Sequence, residues 1–268
     1  MAGATHRPVV LVGCGRLGSA ILEGWLKTGA VEASDLIILT PSDKPGTGIA
    51  RKQGARINPP LESLADARAV VLAVKPAKWR EATHPLISHL PADAVIVSVM
   101  AGVRGAVLGS ALSPRPVVRV MPTTAVATGQ GVAAIWSADA AARGTAHGLF
   151  AALAGIVDLD DESHIDVATA MAGSGPAYVH AFTRALAEAG AAAGLDAARA
   201  LALARGAVRS AAAADPAETL DALIARVASP GGTTEAGLKA LNAGRALDEA
   251  VVAAVAAALL RARELSRD

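Results

Sequence analysis

Hydrophobic residues follow two different patterns along the chain. Up to about residue 160, short apolar runs rich in β-branched residues alternate with segments of helical length, and the clearest runs cover residues 8–13, 36–40, 69–74, 94–99 and 117–121. Continuous apolar strands between helices are typical of a parallel sheet that is covered on both faces. Two later runs, 131–136 and 155–160, could extend this sheet. Residues 1–162 are therefore predicted to form a doubly wound α/β domain.

The rest of the chain has a helical pattern. Alanine and leucine dominate it, and both are strong helix formers. Gly194 predicts the end of a helix and Asp196 the N-cap of the next, while Asp215, which precedes a proline, predicts another helix start. A closing helix is predicted over about residues 234–266. Residues 163–268 are therefore predicted to form an all-α domain.

The alanine-rich helices of this second domain need partners for their apolar faces. The stretches 198–214 and 248–260 carry wide apolar faces, yet small side chains bury little area per residue. Close packing between the helices is one explanation, and packing against a second subunit is the other. We favour a helical dimerisation domain, because one small domain would leave much of this surface uncovered.

Composition excludes several classes of protein. The chain has 268 residues, of which 53% are apolar, with 25 basic and 24 acidic residues, so no basic surplus points to nucleic acid as a partner. No apolar run reaches the roughly 18 residues of a membrane span. Cys14 is the only cysteine, which rules out an intrachain disulfide and a cysteine-based metal site. We expect a cytoplasmic protein without a metal.

A glycine pattern at the first strand indicates a nucleotide cofactor. Gly13, Gly15 and Gly18 have the G-x-G-x-x-G spacing and stand between an apolar strand and a helical segment. This context favours a Rossmann NAD(P)-binding domain over the alternative, a merely structural glycine-rich turn. The helix N-terminus would bind the pyrophosphate, and the glycines would allow its close approach. The predicted contacts are Gly13, Cys14, Gly15, Arg16, Leu17 and Gly18, with Cys14 serving as a small side chain that fits the loop.

The end of the second strand bears on the choice between NADPH and NADH. An acidic residue there normally accepts hydrogen bonds from the adenosine ribose of NAD. Thr40 and Ser42 stand in that region instead, and Lys44 or Arg51 could accompany a 2′-phosphate. The sequence therefore favours NADPH, while the neighbouring Asp43 leaves NADH possible.

Other strand ends supply further candidate contacts, because the carboxyl ends of parallel strands face the ligand crevice. Ala73, Val74, Lys75 and Pro76 end one strand region, Ala101 and Gly102 follow the next, and Thr123 follows the run at 117–121. We expect these residues on the nicotinamide side of the cofactor. For Lys75, an ordinary surface lysine is an equally good interpretation.

Taken together, the motifs resemble those of the pyrroline-5-carboxylate reductase family. The resemblance rests on "GCGRLGSAI", "AVKP", "AGV", "RVMPTT", "AGSGPAYV" and above all "SPGGTTEAGLKAL" at 229–241. The motifs occur in the family's order and extend over nearly the whole chain. The resemblance implies reduction of the C=N bond of 1-pyrroline-5-carboxylate to L-proline by NAD(P)H. It also implies a homodimer, or a larger homo-oligomer, that forms through the helical domain.

Residues 229–234 are the expected substrate site. The substrate carboxylate needs hydrogen-bond donors, which the Ser229 hydroxyl and the backbone N–H groups of Gly232 and Thr233 can supply, while Gly231 lets the main chain come close. By the resemblance, the Thr234 hydroxyl reaches the imine nitrogen. The competing interpretation is that a threonine here only caps a helix.

The sequence departs from the family at two places. Thr123 stands where the family usually has asparagine, and Ala172 stands where serine is common. These changes put in question whether the chain has the family's usual catalytic efficiency and which cyclic imine it reduces. Near the second position, Ser174 and Gly175 are weak candidates for a wall of the site, and Tyr178 is expected to pack.

Two alternatives stay open at the level of sequence. One is a related cyclic-imine or β-hydroxyacid-type reductase, although such hydroxyacid enzymes commonly use a lysine on a helix of the second domain. Lys239 is the only lysine after residue 78. The other alternative is a non-catalytic NADP-binding sensor, which would need the glycine loop but not the motif at 229–234.

Overall fold

The computed structural model describes residues 8–265. Its sheet has eight strands in the order β3-β2-β1-β4-β5-β6-β7-β8. The strands are β1 Val9–Val12, β2 Leu36–Leu39, β3 Arg56–Ile57, β4 Ala69–Leu72, β5 Val95–Ser98, β6 Val117–Pro122, β7 Gly131–Trp136 and β8 Ala154–Asp158. The seven apolar runs of the sequence are therefore strands, and the predicted doubly wound fold is confirmed.

The helices of the described chain cover the sheet and then form a second, helical region. They are α1 Arg16–Thr28, α2 Pro45–Lys52, α3 Trp79–Thr83, α4 Gly105–Leu112, α5 Ala140–Phe150, α6 His164–Ala168, α7 Gly175–Ala192, α8 Ala197–Ala212, α9 Leu220–Val227, α10 Thr233–Leu241 and α11 Ala246–Leu265. Within these residues, no helix is both long enough and apolar enough to cross a membrane.

Two apolar layers hold the sheet, one on each face. Alternate residues of β1 point to opposite sides, so Val9 and Leu11 join one buried cluster while Val10 and Val12 join the other. The first cluster includes Trp25 of α1, and the second includes Leu108 of α4. Burial on both faces explains why the strands of this sheet are continuous apolar runs.

Two features of the sheet differ from the sequence prediction. β7 runs antiparallel to β6, because the connection between them is too short for the crossover that a parallel neighbour needs. The short edge strand β3 was missed, since its two residues, Arg56 and Ile57, carry no apolar run.

Contacts divide the described chain into two compact units. The first comprises residues 8–173 together with 259–265, and the second comprises residues 174–258. This division falls later than the boundary predicted after residue 162. Ile165 and Ala168 of α6 pack against Met121 and Ala134 of the sheet, which places this helix in the first unit.

Within the second unit, some predicted helix ends are confirmed and others are wrong. Gly194 has a positive φ of 109° after α7, and Asp196 accepts hydrogen bonds as the N-cap of α8. Asp215 caps no helix, because α9 begins later, with Thr219 as its N-cap. The predicted closing helix is two helices, since Gly244 adopts a φ of 63° between α10 and α11.

Candidate active site

The glycine loop after β1 has the backbone shape that its sequence predicts. Gly13 has a φ of 96°, and its N–H donates to the carbonyl oxygen of Leu39 at 2.8 Å. A Cβ at Gly13 would lie 2.7 Å from the carbonyl oxygen of Ala73, and one at Gly18 would lie 2.2 Å from that of Gly13. Both positions therefore require glycine, and together they hold α1 close to the strand ends.

Gly15 differs from the other two glycines of the loop. A Cβ there would meet nothing within 4 Å, so the residue faces open space at the start of α1. Gly15 is also the N-cap of α1 and offers no side chain to the helix N-terminus. The first-turn N–H groups, which include those of Arg16 and Leu17, are thus positioned for an anion. This arrangement fits the pyrophosphate of a dinucleotide.

Cys14 is a packing residue within this loop. Its side chain is 3% exposed, and burial raises the pKa of its thiol. The carbonyl oxygen of Cys14 accepts a hydrogen bond from the Ser19 hydroxyl at 3.1 Å. The thiol therefore has neither the exposure nor the acidity of a reactive cysteine, in agreement with its interpretation as a small side chain.

A cavity of about 320 Å³ lies beside the glycine loop. Its walls come from the carboxyl ends of β1, β2 and β4, and they include Gly13, Thr40, Asn58 and Val74. Ligands of doubly wound sheets bind at this edge, outside the carboxyl ends of the strands. The cavity can therefore receive the adenosine part of a dinucleotide.

Asn58 is a functional candidate that the sequence interpretation missed. Its side-chain oxygen accepts from the N–H of Thr40 at 2.9 Å, and its amide nitrogen donates to the carbonyl oxygen of Thr40 at 2.8 Å. It fixes the backbone of Thr40, whose hydroxyl donates to the carbonyl oxygen of Ser42 at 3.1 Å. The only local signal was its place before a proline, which favours a turn.

Not every basic side chain near Ser42 is free to bind the 2′-phosphate of NADPH. Arg51 pairs with Asp43 at 3.0 Å, and both side chains are more than half exposed. Lys44 forms no ion pair with any of the described residues, and its backbone is fixed by Thr47 at the start of α2. Of the two basic residues that the sequence suggested, Lys44 is thus the one whose charge is unpaired.

The remaining cofactor candidates lie at the ends of β4, β5 and β6, along the same edge of the sheet. Val74 lines the cavity, Lys75 is exposed, and Gly102 has a φ of 78° after β5. The Thr123 hydroxyl accepts from the N–H of Val132 on β7 at 3.2 Å. The structure thus gathers Ala73, Val74, Lys75, Pro76, Ala101, Gly102 and Thr123 at the edge where the glycine loop lies.

The motif at 229–234 forms the turn between α9 and α10 in the second unit. Gly231 has a φ of 73°, and its N–H donates to the Glu235 carboxylate at 2.6 Å. The N–H of Gly232 donates to the carbonyl oxygen of Ser229 at 2.9 Å. The prediction that Gly232 offers a free N–H is therefore wrong, because the turn itself uses that group.

The threonines of this motif are not the helix cap. Gly232 is the N-cap of α10, Thr233 and Thr234 are its first two residues, and no side chain caps this helix. Thr233 is exposed and Thr234 is half-buried. Helix capping therefore does not account for either hydroxyl.

An unusual helical turn leads into the "GSGPAY" segment at residues 173–178 and shares Gly173 with it. Thr169–Gly173 form a π-helical turn, and α7 starts immediately after Ser174. Ala172 is half-buried against the cluster around Met121, and the Tyr178 hydroxyl lies 3.5 Å from the carbonyl oxygen of Ala254. Single π-turns often occur at functional sites. Ser174 and Gly175 follow this one directly.

Comparison with known proteins identifies the family. The chain is 34% identical to pyrroline-5-carboxylate reductase of Pseudomonas aeruginosa, with 96% of each sequence covered. It is 35% identical to the enzyme of the same name from Thermus thermophilus, with 96% of this chain and 98% of the relative covered. The chain belongs to the pyrroline-5-carboxylate reductase family.

Family models match both parts of the chain. Residues 162–265 match the model described as pyrroline-5-carboxylate reductase dimerisation. Residues 8–102 match the model described as NADP oxidoreductase coenzyme F420-dependent. The first match agrees with the apolar faces that predicted a helical dimerisation domain.

Solved structures of the family share the fold. The pyrroline-5-carboxylate reductase of Coxiella burnetii superposes with a TM-score of 0.88 at 27% identity, and 97% of this chain and 99% of that chain are covered. The Plasmodium falciparum member, whose structure has NADP bound, gives a TM-score of 0.78 at 25% identity, with 98% and 100% covered. A nucleotide is thus bound by a relative of this fold, in agreement with the glycine loop described above.

Proposed function

We propose that the chain reduces the C=N bond of 1-pyrroline-5-carboxylate with NAD(P)H and forms L-proline. The observation that carries the proposal is the identity of 34–35% to reductases of this name, which extends over 96% of the chain and includes both units. The glycine loop, the cavity beside it and the motif at 229–234 are the local features that support it.

The first unit would bind the cofactor, which supplies the hydride when bound. Gly13, Gly15 and Gly18 would admit the pyrophosphate to the N-terminus of α1. Thr40, whose backbone is held by Asn58, and Ser42, whose carbonyl oxygen accepts from the Thr40 hydroxyl, would lie beside the adenosine ribose. Arg16 and Lys75 are exposed at the same edge of the sheet and complete the charged surroundings.

NADPH is the proposed preference. The described end of β2 presents Thr40 and Ser42 instead of the carboxylate that selects NAD, and Lys44 forms no ion pair with another described residue. Asp43, the nearby acid, is engaged by Arg51. A 2′-phosphate would therefore meet a basic group and the Ser42 hydroxyl there, while the Thr40 hydroxyl is used within the loop.

The turn before α10 would bind the substrate carboxylate. The Ser229 hydroxyl and the N–H of Thr233 are the donors that support this role, because the N–H of Gly232 is used within the turn. Gly231 and Gly232 keep the main chain free of side chains where the substrate must approach. The N-terminus of α10 adds a favourable field for an anion.

Thr234 would interact with the imine nitrogen. When hydride reaches the imine carbon, which is C2 of the substrate ring and becomes C5 of proline, the electron pair of the C=N bond moves to nitrogen. The nitrogen of an unprotonated imine then needs a proton. A threonine hydroxyl is a very weak acid, so its role is to orient the nitrogen and to stabilise developing charge by a hydrogen bond. If the substrate binds as the iminium, the proton is already on the nitrogen; if it binds as the neutral imine, water donates the proton and is left as hydroxide.

The assembly and location are also proposed. The helical unit would form a homodimer, as the description of the matching family model implies. Exposed apolar side chains on its helices, such as Leu203 and Val252, support this role. A cytoplasmic location rests on the single cysteine and the composition.

The test is a comparison of substrates. Purified protein is mixed with NADPH and 1-pyrroline-5-carboxylate, the loss of reduced cofactor is followed, and proline is identified among the products. We expect turnover with this imine and none with short β-hydroxy acids and NADP+. Turnover of another cyclic imine or of a hydroxy acid alone would favour a related reductase, and cofactor binding without any turnover would favour a sensor.

A further inference from the structure

A second cavity in the first unit lies away from the glycine loop. It has a volume of about 290 Å³ and shares no lining residue with the cavity beside Gly13. Three arginines line it: Arg104 is the residue at the N-cap position of α4, where its side chain makes no capping hydrogen bond, Arg119 lies in β6, and Arg263 lies in the last turn of α11. The other walls come from the polar segment 161–166. Every side chain that lines the cavity is therefore polar or charged.

Arg119 is the buried member of this group. Its side chain is 3% exposed, and Nη1 donates to the Glu162 carboxylate at 2.9 Å. Its Nε and Nη2 atoms have no hydrogen-bond partner within residues 8–265. Buried donors are costly when they lack an acceptor. A hydrogen-bond acceptor placed beside Arg119 would therefore be stabilising.

The carboxylates around the cavity are already engaged. One oxygen of Glu162 accepts from both Arg119 and the N–H of Gly105, the latter at 2.5 Å. Asp161 accepts from the N–H of Ser163 at 2.7 Å, and hydrogen bonds from Ser163 hold the pKa of Asp161 below its ordinary value. Asp166 also has an interaction partner. One carboxylate oxygen of Glu162 and one of Asp161 are thus used by the local structure.

The other two arginines are not engaged in the same way. Within the described residues, Arg104 and Arg263 form no ion pair, whereas the neighbouring Arg261 pairs with Glu264 at 2.7 Å. Both lie on the cavity wall. The cavity therefore has an excess of guanidinium donors over free acceptors, although its formal charges are mixed.

We propose that this cavity binds a small oxyanion of the phosphate type. Guanidinium groups bind phosphate through pairs of parallel hydrogen bonds, and two arginines without an ion pair among residues 8–265 match a dianion better than a monoanion. The ligand is bound between Arg104 and Arg263, against the wall formed by Arg119. This site is separate from the pyrophosphate site at the glycine loop.

The probe is inorganic phosphate, titrated calorimetrically into the full chain. The protein is first saturated with NADP+ so that the glycine loop is already filled, and ionic strength is kept constant with chloride. We expect saturable binding of phosphate that acetate, a monoanion, does not reproduce. Wild-type protein without saturable phosphate binding would overturn the proposal.

Matched variants locate the site. Arg263→Ala and Arg104→Ala are each expected to weaken phosphate binding by about fivefold or more, because each removes charge-assisted hydrogen bonds. Arg261→Ala removes the same charge from the same helix and is expected to leave binding unchanged. Arg119 is not replaced, since its loss would leave Glu162 without its buried partner. Equal weakening in the Arg261 and Arg263 variants would show a general charge effect and contradict the site.

Discussion

At the scale of the residue, the proposed reaction depends most on Thr234. The replacement Thr234→Ala removes the hydroxyl that is proposed to bind the imine nitrogen. Loss of one such donor is expected to lower kcat/KM for 1-pyrroline-5-carboxylate by about a hundredfold. The cap of α10 is Gly232, so the helix should persist and thermal stability should change little. Steady-state kinetics and a melting curve measure the two effects.

Thr234→Ser is the matched control for this replacement. Serine retains the hydroxyl, so most of the activity should return, while affinity for NADPH should be the same in both variants. If the alanine variant keeps wild-type kcat/KM, Thr234 has no part in the reaction.

Only some residues of the candidate site can be predicted from the sequence. The glycines of the loop could be assigned from spacing, because the strand, turn and helix follow one another in the chain. Asn58 and Glu162 could not, because their partners are distant in sequence: Asn58 binds Thr40, and Glu162 binds Arg119 and Gly105. Only the order of the strands brings these pairs together.

At the scale of the element, the turn between β1 and α1 allows a test of two glycines with different roles. Gly15→Ala introduces a Cβ into open space, so the fold should be retained. That space is where the pyrophosphate is proposed to approach, and NADPH affinity should therefore fall by about tenfold or more. Isothermal titration with NADPH and a melting curve separate the two properties.

Gly18→Ala should behave differently. Its Cβ would lie 2.2 Å from the carbonyl oxygen of Gly13, so the helix must move away from the strand. Such overpacking is expected to cost about 1–3 kcal/mol of stability, in addition to weakening NADPH binding. Gly144→Ala is the control, because Gly144 is exposed within α5 with nothing near its Cβ, and it should stabilise the protein by about 1 kcal/mol. A Gly15→Ala variant that loses stability but keeps wild-type affinity for NADPH would contradict the role of Gly15 in admitting the pyrophosphate.

Some strands and helices can be predicted from the sequence better than others. The apolar runs predicted the longer strands, because burial on both faces leaves a continuous signal. The direction of β7 depends on the length of its connection rather than on its composition. The break between α10 and α11 depends on Gly244, which lies among residues that are otherwise helix formers. Local helix signals alone therefore merged two helices into one.

At the scale of the whole molecule, the two units differ in how they bury apolar side chains. The sheet of the first unit is covered on both faces, whereas helices of the second expose large side chains such as Leu220 at 77% and Val252 at 67%. The family model that matches residues 162–265 is described as a dimerisation module. The match agrees with the interface that the wide apolar faces of the alanine-rich helices predict.

The central claim is that hydride passes from the cofactor to the imine carbon. NADPH dideuterated at C4 is incubated with the protein and 1-pyrroline-5-carboxylate, and the product is analysed by mass spectrometry and NMR. We expect proline that carries a single deuterium, bound to C5, because either face of the nicotinamide then delivers the label. Proline without deuterium, or no proline from folded protein with bound cofactor, would contradict it.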